Sequence, residues 1–191
     1  MSNDFHFKKF SIAQDCCAMK VGTDGVVVGA WANGGKRIMD IGTGTGLIAL
    51  MMAQRFPTAI VDAVEIDEKA AEQAKENVAR SPFANRVNVI KTSLQDFQTE
   101  TSYDSIVTNP PFFINSLMAP DPTRSVARHT VNLSFSDIFS FAINHLTEKG
   151  EISAIIPIEC IDSFSQEGFI RGMFITRQCI IKTVERKPAK R

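Results

Sequence analysis

From position 36 onward, short apolar runs alternate with segments whose apolar residues recur at helical spacing. Arg37–Ile41 predicts a strand, followed by a glycine-rich turn and a helix over 47–54. Positions 59–66 predict a second strand, and 68–80, rich in Ala, Glu and Lys, a second helix. Val87–Lys91 reads as a third strand and 105–108 as a fourth, closed by a double proline. Within 136–146, Ile138, Phe139, Ala142, Ile143 and Leu146 share one helical face, and Gly150 follows as a stop signal. Positions 151–158 predict a fifth strand, 160–171 a further helix and 175–184 a sixth strand. This alternation predicts an α/β fold, a mostly parallel twisted sheet with helices on both faces. Ligands of such sheets bind at the carboxyl ends of the strands, near the switch in strand order. Phe5, Phe7 and Phe10 lie ahead of this pattern and predict a short strand or flap packed on the core.

Composition narrows the class. At 191 residues and 44% hydrophobic content the chain suits one core. We divide it into an N-terminal flap and loop segment, 1–35, and a core, 36–191. Lys+Arg and Asp+Glu both number 21, so any nucleic-acid surface must be a local patch. The cysteines at 16, 17, 160 and 179 form no CxxC pair, which argues for free thiols in a reducing compartment and against a zinc or other metal site. The polar start MSNDFHFKKF predicts no signal peptide, and no apolar run is long enough to span a bilayer. The expected location is cytoplasmic.

Positions 40–46, DIGTGTG, link the first strand to the first helix. Gly42, Gly44 and Gly46 permit a tight turn and close approach of a ligand. The spacing is GxGxG rather than GxGxxG, with Leu at 47, which argues against a dinucleotide. It fits a ligand without a pyrophosphate, S-adenosylmethionine, whose methionine chain and ribose lie along the turn. Glu65, at the end of the second strand, is the candidate acceptor for both ribose hydroxyls, and Asp67 reads as the N-cap of the next helix. Asp96, after the third strand, is a candidate acceptor for an adenine amino group, although Asp is also common in turns. Ahead of the first strand, Gly22 and Gly25 suggest a tight loop. There Thr23 and Asp24 are candidates for the ends of the methionine moiety, with Lys20 beside them. The rival role for Asp24 is a helix N-cap.

Asn109, Pro110, Pro111 and Phe112 follow the fourth strand and match the [N/D]PP[Y/F/W] motif of amino-methylating enzymes. An adenine N6 lone pair is delocalised into its ring and is a poor nucleophile. The Asn109 amide oxygen and the Pro110 carbonyl can accept the two amino hydrogens, which favours a tetrahedral nitrogen and turns its lone pair toward a methyl donor. Two prolines make the aim of that carbonyl rigid, and Phe112 can stack on a flat base. A proline turn that merely ends a strand is the plainer explanation, but one arriving after a glycine turn and a fourth strand favours catalysis. Downstream, the aperiodic stretch 113–133 carries Arg124, Arg128 and His129, a positive cluster suited to RNA phosphates or simply a solvated loop. His6 and His145 have no evident chemical role. The stretch 182–191 holds five basic residues and one acid, and either touches RNA or is only a tail.

In this order the pieces resemble the bacterial tRNA1(Val) (adenine(37)-N6)-methyltransferase family. The matching segments are KVGTDGVVVGAWA (20–32), DIGTGTG (40–46), DAVEID (62–67), NPPF (109–112) and RSVARHT (124–130), the last being the family-specific one. The resemblance covers most of the chain. It implies a Rossmann-like class I methyltransferase fold, with transfer to N6 of the adenosine 3′ of the tRNA anticodon. It also implies a target site over 109–112, with Asp40, Gly42, Glu65 and Asp96 holding the cofactor. The family fold has seven strands, the last antiparallel; six are legible here, so the last edge strand is expected to be missing. Three rival functions stay open: a protein glutamine N-methyltransferase, a ribosomal guanine-N2 methyltransferase and an inactive cofactor-binding protein.

Overall fold

The computed structural model describes residues 4–17, 19–111, 133–182 and 191. The chain opens with an antiparallel hairpin, β1 (Phe5–His6) against β2 (Ser11–Ile12), with Phe5 opposite Ile12. Its aromatic residues hold it down. Phe7 stacks on Phe10 at 4.7 Å, and Phe10 meets Phe83 edge-on at 6.3 Å. His6 Nδ1 lies 2.8 Å from Ser11 Oγ within the hairpin.

Helix α1 (Thr23–Trp31) comes next. The sequence predicts here only a tight loop, because VVVGAW has no polar face and hence no helical period. The helix is buried against α2 (Leu47–Arg55) instead, and a Cβ at Gly25 would come within 3.1 Å of Leu47. Asp24 is not its N-cap. The extended residue at that position is Gly22, and Asp24 stands in the first turn, where a negative charge complements the helix dipole.

Among the described residues, the main sheet has five strands: β3 (Arg37–Ile41), β4 (Ile60–Glu65), β5 (Val87–Lys91), β6 (Tyr103–Thr108) and β7 (Leu146–Ala154). They are all parallel, in the order β5-β4-β3-β6-β7. The chain winds one way from β3 to β5 and the other way from β6 to β7. The switch therefore lies between β3 and β6, and a crevice opens there at the carboxyl ends. Alternate residues of each strand feed opposite faces. Ile38, Val61 and Ala63 join a cluster with α1, α2 and the end of α3 (Glu68–Ala79). Met39, Ile41, Val64 and Ile106 join a second cluster under α4 (Phe135–His145), whose start carries a Ser134–Asp137 capping box. A short 3-10 turn (Ile158–Cys160) leads into α5 (Ile161–Ile170).

Two expectations at the β7 edge fail. Gly150 does not stop a helix. α4 ends at His145, β7 begins at the next residue, and Gly150 sits inside it, where a Cβ would be 2.9 Å from the Tyr103 carbonyl oxygen. The expected sixth strand is absent over its described part, 175–182. Its β-branched content suggests a strand, but a strand needs a ladder partner, and side chains hold this segment instead. Arg177 stacks over Trp31 at 4.3 Å and reaches Glu151 at 3.7 Å, while Ile181 packs on the first core cluster.

Candidate active site

The turn after β3 is built on three left-handed residues, Gly42, Gly44 and Gly46, with φ of 70°, 56° and 83°. Backbone bonds set its path. Gly42 and Thr43 both donate to the Val64 carbonyl at 3.0 Å. Asp40 braces it from beneath. Its Oδ2 accepts from Thr43 Oγ1 at 2.6 Å and from the Ala49 amide at 3.0 Å, so one carboxylate oxygen ties the turn to α2. Its Oδ1 is buried with no hydrogen-bond partner among the described residues. Burial pushes the Asp40 carboxyl up to about 7, against the opposing pull of those two hydrogen bonds.

Glu65 closes the turn from β4. Its Oε2 accepts from the Gly44 amide at 2.8 Å and its Oε1 from the Asp67 amide at 2.9 Å. Each oxygen keeps a further lone pair for an incoming hydroxyl. Asp67 is the N-cap of α3, as its position in the sequence suggests, accepting from the Ala70 amide at 2.8 Å.

Two buried polar residues that sequence reasoning missed lock the N-terminal segment onto this turn. The Asn77 amide accepts from the Ala13 amide and donates to the carbonyls of Ala13 and Thr45, all at 2.9 Å. One turn earlier on α3, Gln73 accepts from the Cys16 amide at 3.1 Å. The available signal was an i, i+4 polar pair on a face otherwise made of Ala70, Ala74 and Val78.

A cavity of about 750 Å³ runs from this turn to the end of β6, within the size range of small-molecule sites. Lys20, Thr23, Asp24, Gly42, Gly44 and Glu65 all line it, as do Asn109 and Pro111. Four other candidates do not. Asp40 lies under the turn, Gly46 packs toward Ala74, and Pro110 is buried. Asp96 is exposed, with its Oδ2 accepting from Ser93 Oγ at 2.7 Å; Ser93 and Gln95 reach the cavity in its place. Gln95 Nε2 donates to Asp137 at 3.0 Å. Asp24 Oδ2 accepts from Arg191 Nε at 2.7 Å. Phe112, Arg124, Arg128 and His129 lie outside the described residues.

Asn109 is positioned by its neighbour in the chain. Thr108 Oγ1 donates to the Ile41 carbonyl at 2.9 Å, fastening the end of β6 to the end of β3. The Asn109 Oδ1 atom is buried and, among the described residues, has no hydrogen-bond partner. An acceptor left so costs free energy, of order 1–3 kcal/mol, unless a donor arrives from the cavity. The glycine turn fits a close-lying ligand on the same ground: an added Cβ at Gly42 would meet no atom within 4 Å, and one at Gly44 only Cys17 Sγ at 3.6 Å.

A model of the methyltransferase small domain matches residues 22–160. A tRNA1(Val) (adenine(37)-N6)-methyltransferase of Parabacteroides distasonis is 47% identical over 191 residues, 98% of this chain and 80% of that protein. One of the same name from Trichodesmium erythraeum is 46% identical, over 99% and 82% of the two chains. The chain belongs to this methyltransferase family. Solved structures share its fold. A Pyrococcus furiosus methyltransferase superposes with a TM-score of 0.61 at 21% identity, over 84% of this chain and 75% of that one. The P. horikoshii TYW2 structure in complex with MeSAdo gives 0.63 at 14% identity, over 90% and 61%. Within the described residues of this methyltransferase, no three His, Cys, Asp or Glu side chains group as metal ligands, and no helix is long and apolar enough to cross a membrane.

Proposed function

We propose that this methyltransferase acts on the exocyclic N6 of adenine in tRNA, at adenosine 37 of tRNA1(Val), in the cytoplasm. The observation that carries the reading is the buried Oδ1 of Asn109, without a hydrogen-bond partner among the described residues, in a residue that lines the same cavity as the glycine turn. The relatives' names supply the acceptor and the nucleotide.

S-adenosylmethionine, when bound, supplies an electrophilic sulfonium methyl group. The chain's own residues divide the remaining work. The glycine turn offers unhindered backbone beside a methionine chain and ribose, and Glu65 accepts from the ribose hydroxyls. Thr23, Asp24 and Lys20 meet the amino and carboxylate ends. Thr92, Ser93 and Gln95 line the cavity at the β5 end, where they would meet the adenine, and Asp96 serves there only by turning away from Ser93. On the acceptor side, Asn109 Oδ1 and the Pro110 carbonyl accept the two amino hydrogens of the target base. That removes the nitrogen's lone pair from conjugation with the ring. The geometry needs no strong base, because the amino proton becomes acidic only after methyl transfer. Phe112 stacks on the base, and Arg124, Arg128 and His129 hold the RNA backbone.

The test pairs calorimetry with S-adenosylmethionine and methyl transfer to unmodified tRNA, with mass mapping of the nucleosides afterwards. N6-methyladenosine at position 37 is the expected product. Methylation of a glutamine peptide or of guanine N2 in its place sinks the proposal, and cofactor binding without transfer to any acceptor sinks the enzymatic reading.

A further inference from the structure

We propose that Met19 is a positioning residue that fixes which end of the Asn109 amide faces the target amino group; the role rests on the amino-methylating reading above. Asn109 Nδ2 lies 3.6 Å from Met19 Sδ, in hydrogen-bond geometry for sulfur. The opposite end of the amide, Oδ1, is a buried acceptor without a partner among the described residues. Met19 and Asn109 line the same cavity.

The two ends of a primary amide have almost the same size and shape, so packing alone does not choose between them. Hydrogen bonding does. A thioether sulfur accepts and never donates. The NH2 end of Asn109 therefore belongs against Met19, which leaves the oxygen for a donor in the cavity. In a reversed amide two mismatches arise together. The oxygen meets the sulfur lone pairs, and the NH2 group points at the hydrogens of the target amine. Core packing does not account for Met19. It is 53% exposed and belongs to neither hydrophobic cluster.

The test uses the full chain with Met19→Leu, which keeps the bulk and loses the acceptor, and Met19→Gln, which restores an acceptor. Two readouts are taken: steady-state kinetics with S-adenosylmethionine and unmodified tRNA, and the 15N–1H side-chain amide signals of Asn109, assigned by their loss in Asn109→Asp. Met19→Leu should lower kcat about fivefold to tenfold, the worth of one hydrogen bond, with both KM values within about twofold of the parent. It should also shift the Asn109 amide pair, and Met19→Gln should recover most of kcat. Parental kcat in Met19→Leu, an effect confined to KM, or no recovery in Met19→Gln would each overturn the proposal. If the parent binds S-adenosylmethionine but methylates no RNA, the adenine reading falls and the amide signals alone judge Met19. Shifted signals then support its orienting role, and unmoved signals overturn it.

Discussion

Asp40→Asn isolates the energetic consequence of the carboxylate under the glycine turn. Free in an unfolded chain, this carboxyl ionises around its ordinary value of 3.8; in the fold, burial pushes it up to about 7. Between those values the folded protein keeps a proton that the unfolded chain has lost. Stability must therefore fall as pH rises through this window and level off above about 7, with a slope of about 1.4 kcal/mol per pH unit. Because the residue is fully buried, solvent does not screen the effect, and from pH 5 to pH 8 it amounts to roughly 3 kcal/mol. Asparagine keeps the acceptor for Thr43 Oγ1 and the Ala49 amide and removes the charge. Urea denaturation of both proteins at several pH values cancels every other titrating group in the difference. The unfolding free energy of the parent should drop relative to Asp40→Asn across this interval. Parallel profiles would refute the argument, as would a parent that gains on the variant as pH rises.

Asn109→Ala should leave the dissociation constant for S-adenosylmethionine nearly unchanged and lower kcat by roughly two orders of magnitude, the usual cost of losing an oriented polar partner; equal turnover in single-turnover assays removes its role. Glu65→Ala should weaken cofactor binding by about 2 kcal/mol, roughly thirtyfold by calorimetry, from the loss of charged hydrogen bonds. Asn77→Ala breaks three buried hydrogen bonds and leaves backbone groups of Ala13 and Thr45 unpaired, so it should cost about 3 kcal/mol in denaturant unfolding. Arg128→Ala should raise the KM for tRNA and flatten its dependence on salt, with cofactor affinity unchanged.

The parallel sheet was legible because its strands are short segments rich in Ile and Val that alternate with helix-like stretches; β3 and β5 fall on their expected bounds. The glycine turn and the proline corner were legible for a different reason, since their residue types are dictated by backbone geometry. What escaped has physical causes as well. α1 is apolar on nearly every side, so it carries no period to detect. Positions 175–182 are β-branched enough to suggest a strand, but pairing is a property of two segments, and one segment cannot reveal it. Asp96 and Ser93 are close in sequence, and a single turn bond, Ser93 Oγ to Asp96, decides which of them reaches the cavity. The i, i+4 pair of Gln73 and Asn77 marked a polar spot on α3 but not its partner 64 positions away, and nothing local marks the contact of Met19 with a residue 90 positions away.

The Thr108–Ile41 bond joins the two strand ends from which the glycine turn and the proline corner depart. On the proposed reading, donor and acceptor would thus be gripped by one short piece of rigid sheet rather than by two independently moving lobes. Damage to the β3–β6 seam should upset both grips together, whereas changes beyond Asn109 leave the cofactor's half untouched. A scaffold of this kind can trade one flat amine for another by rebuilding only the chain downstream of the corner.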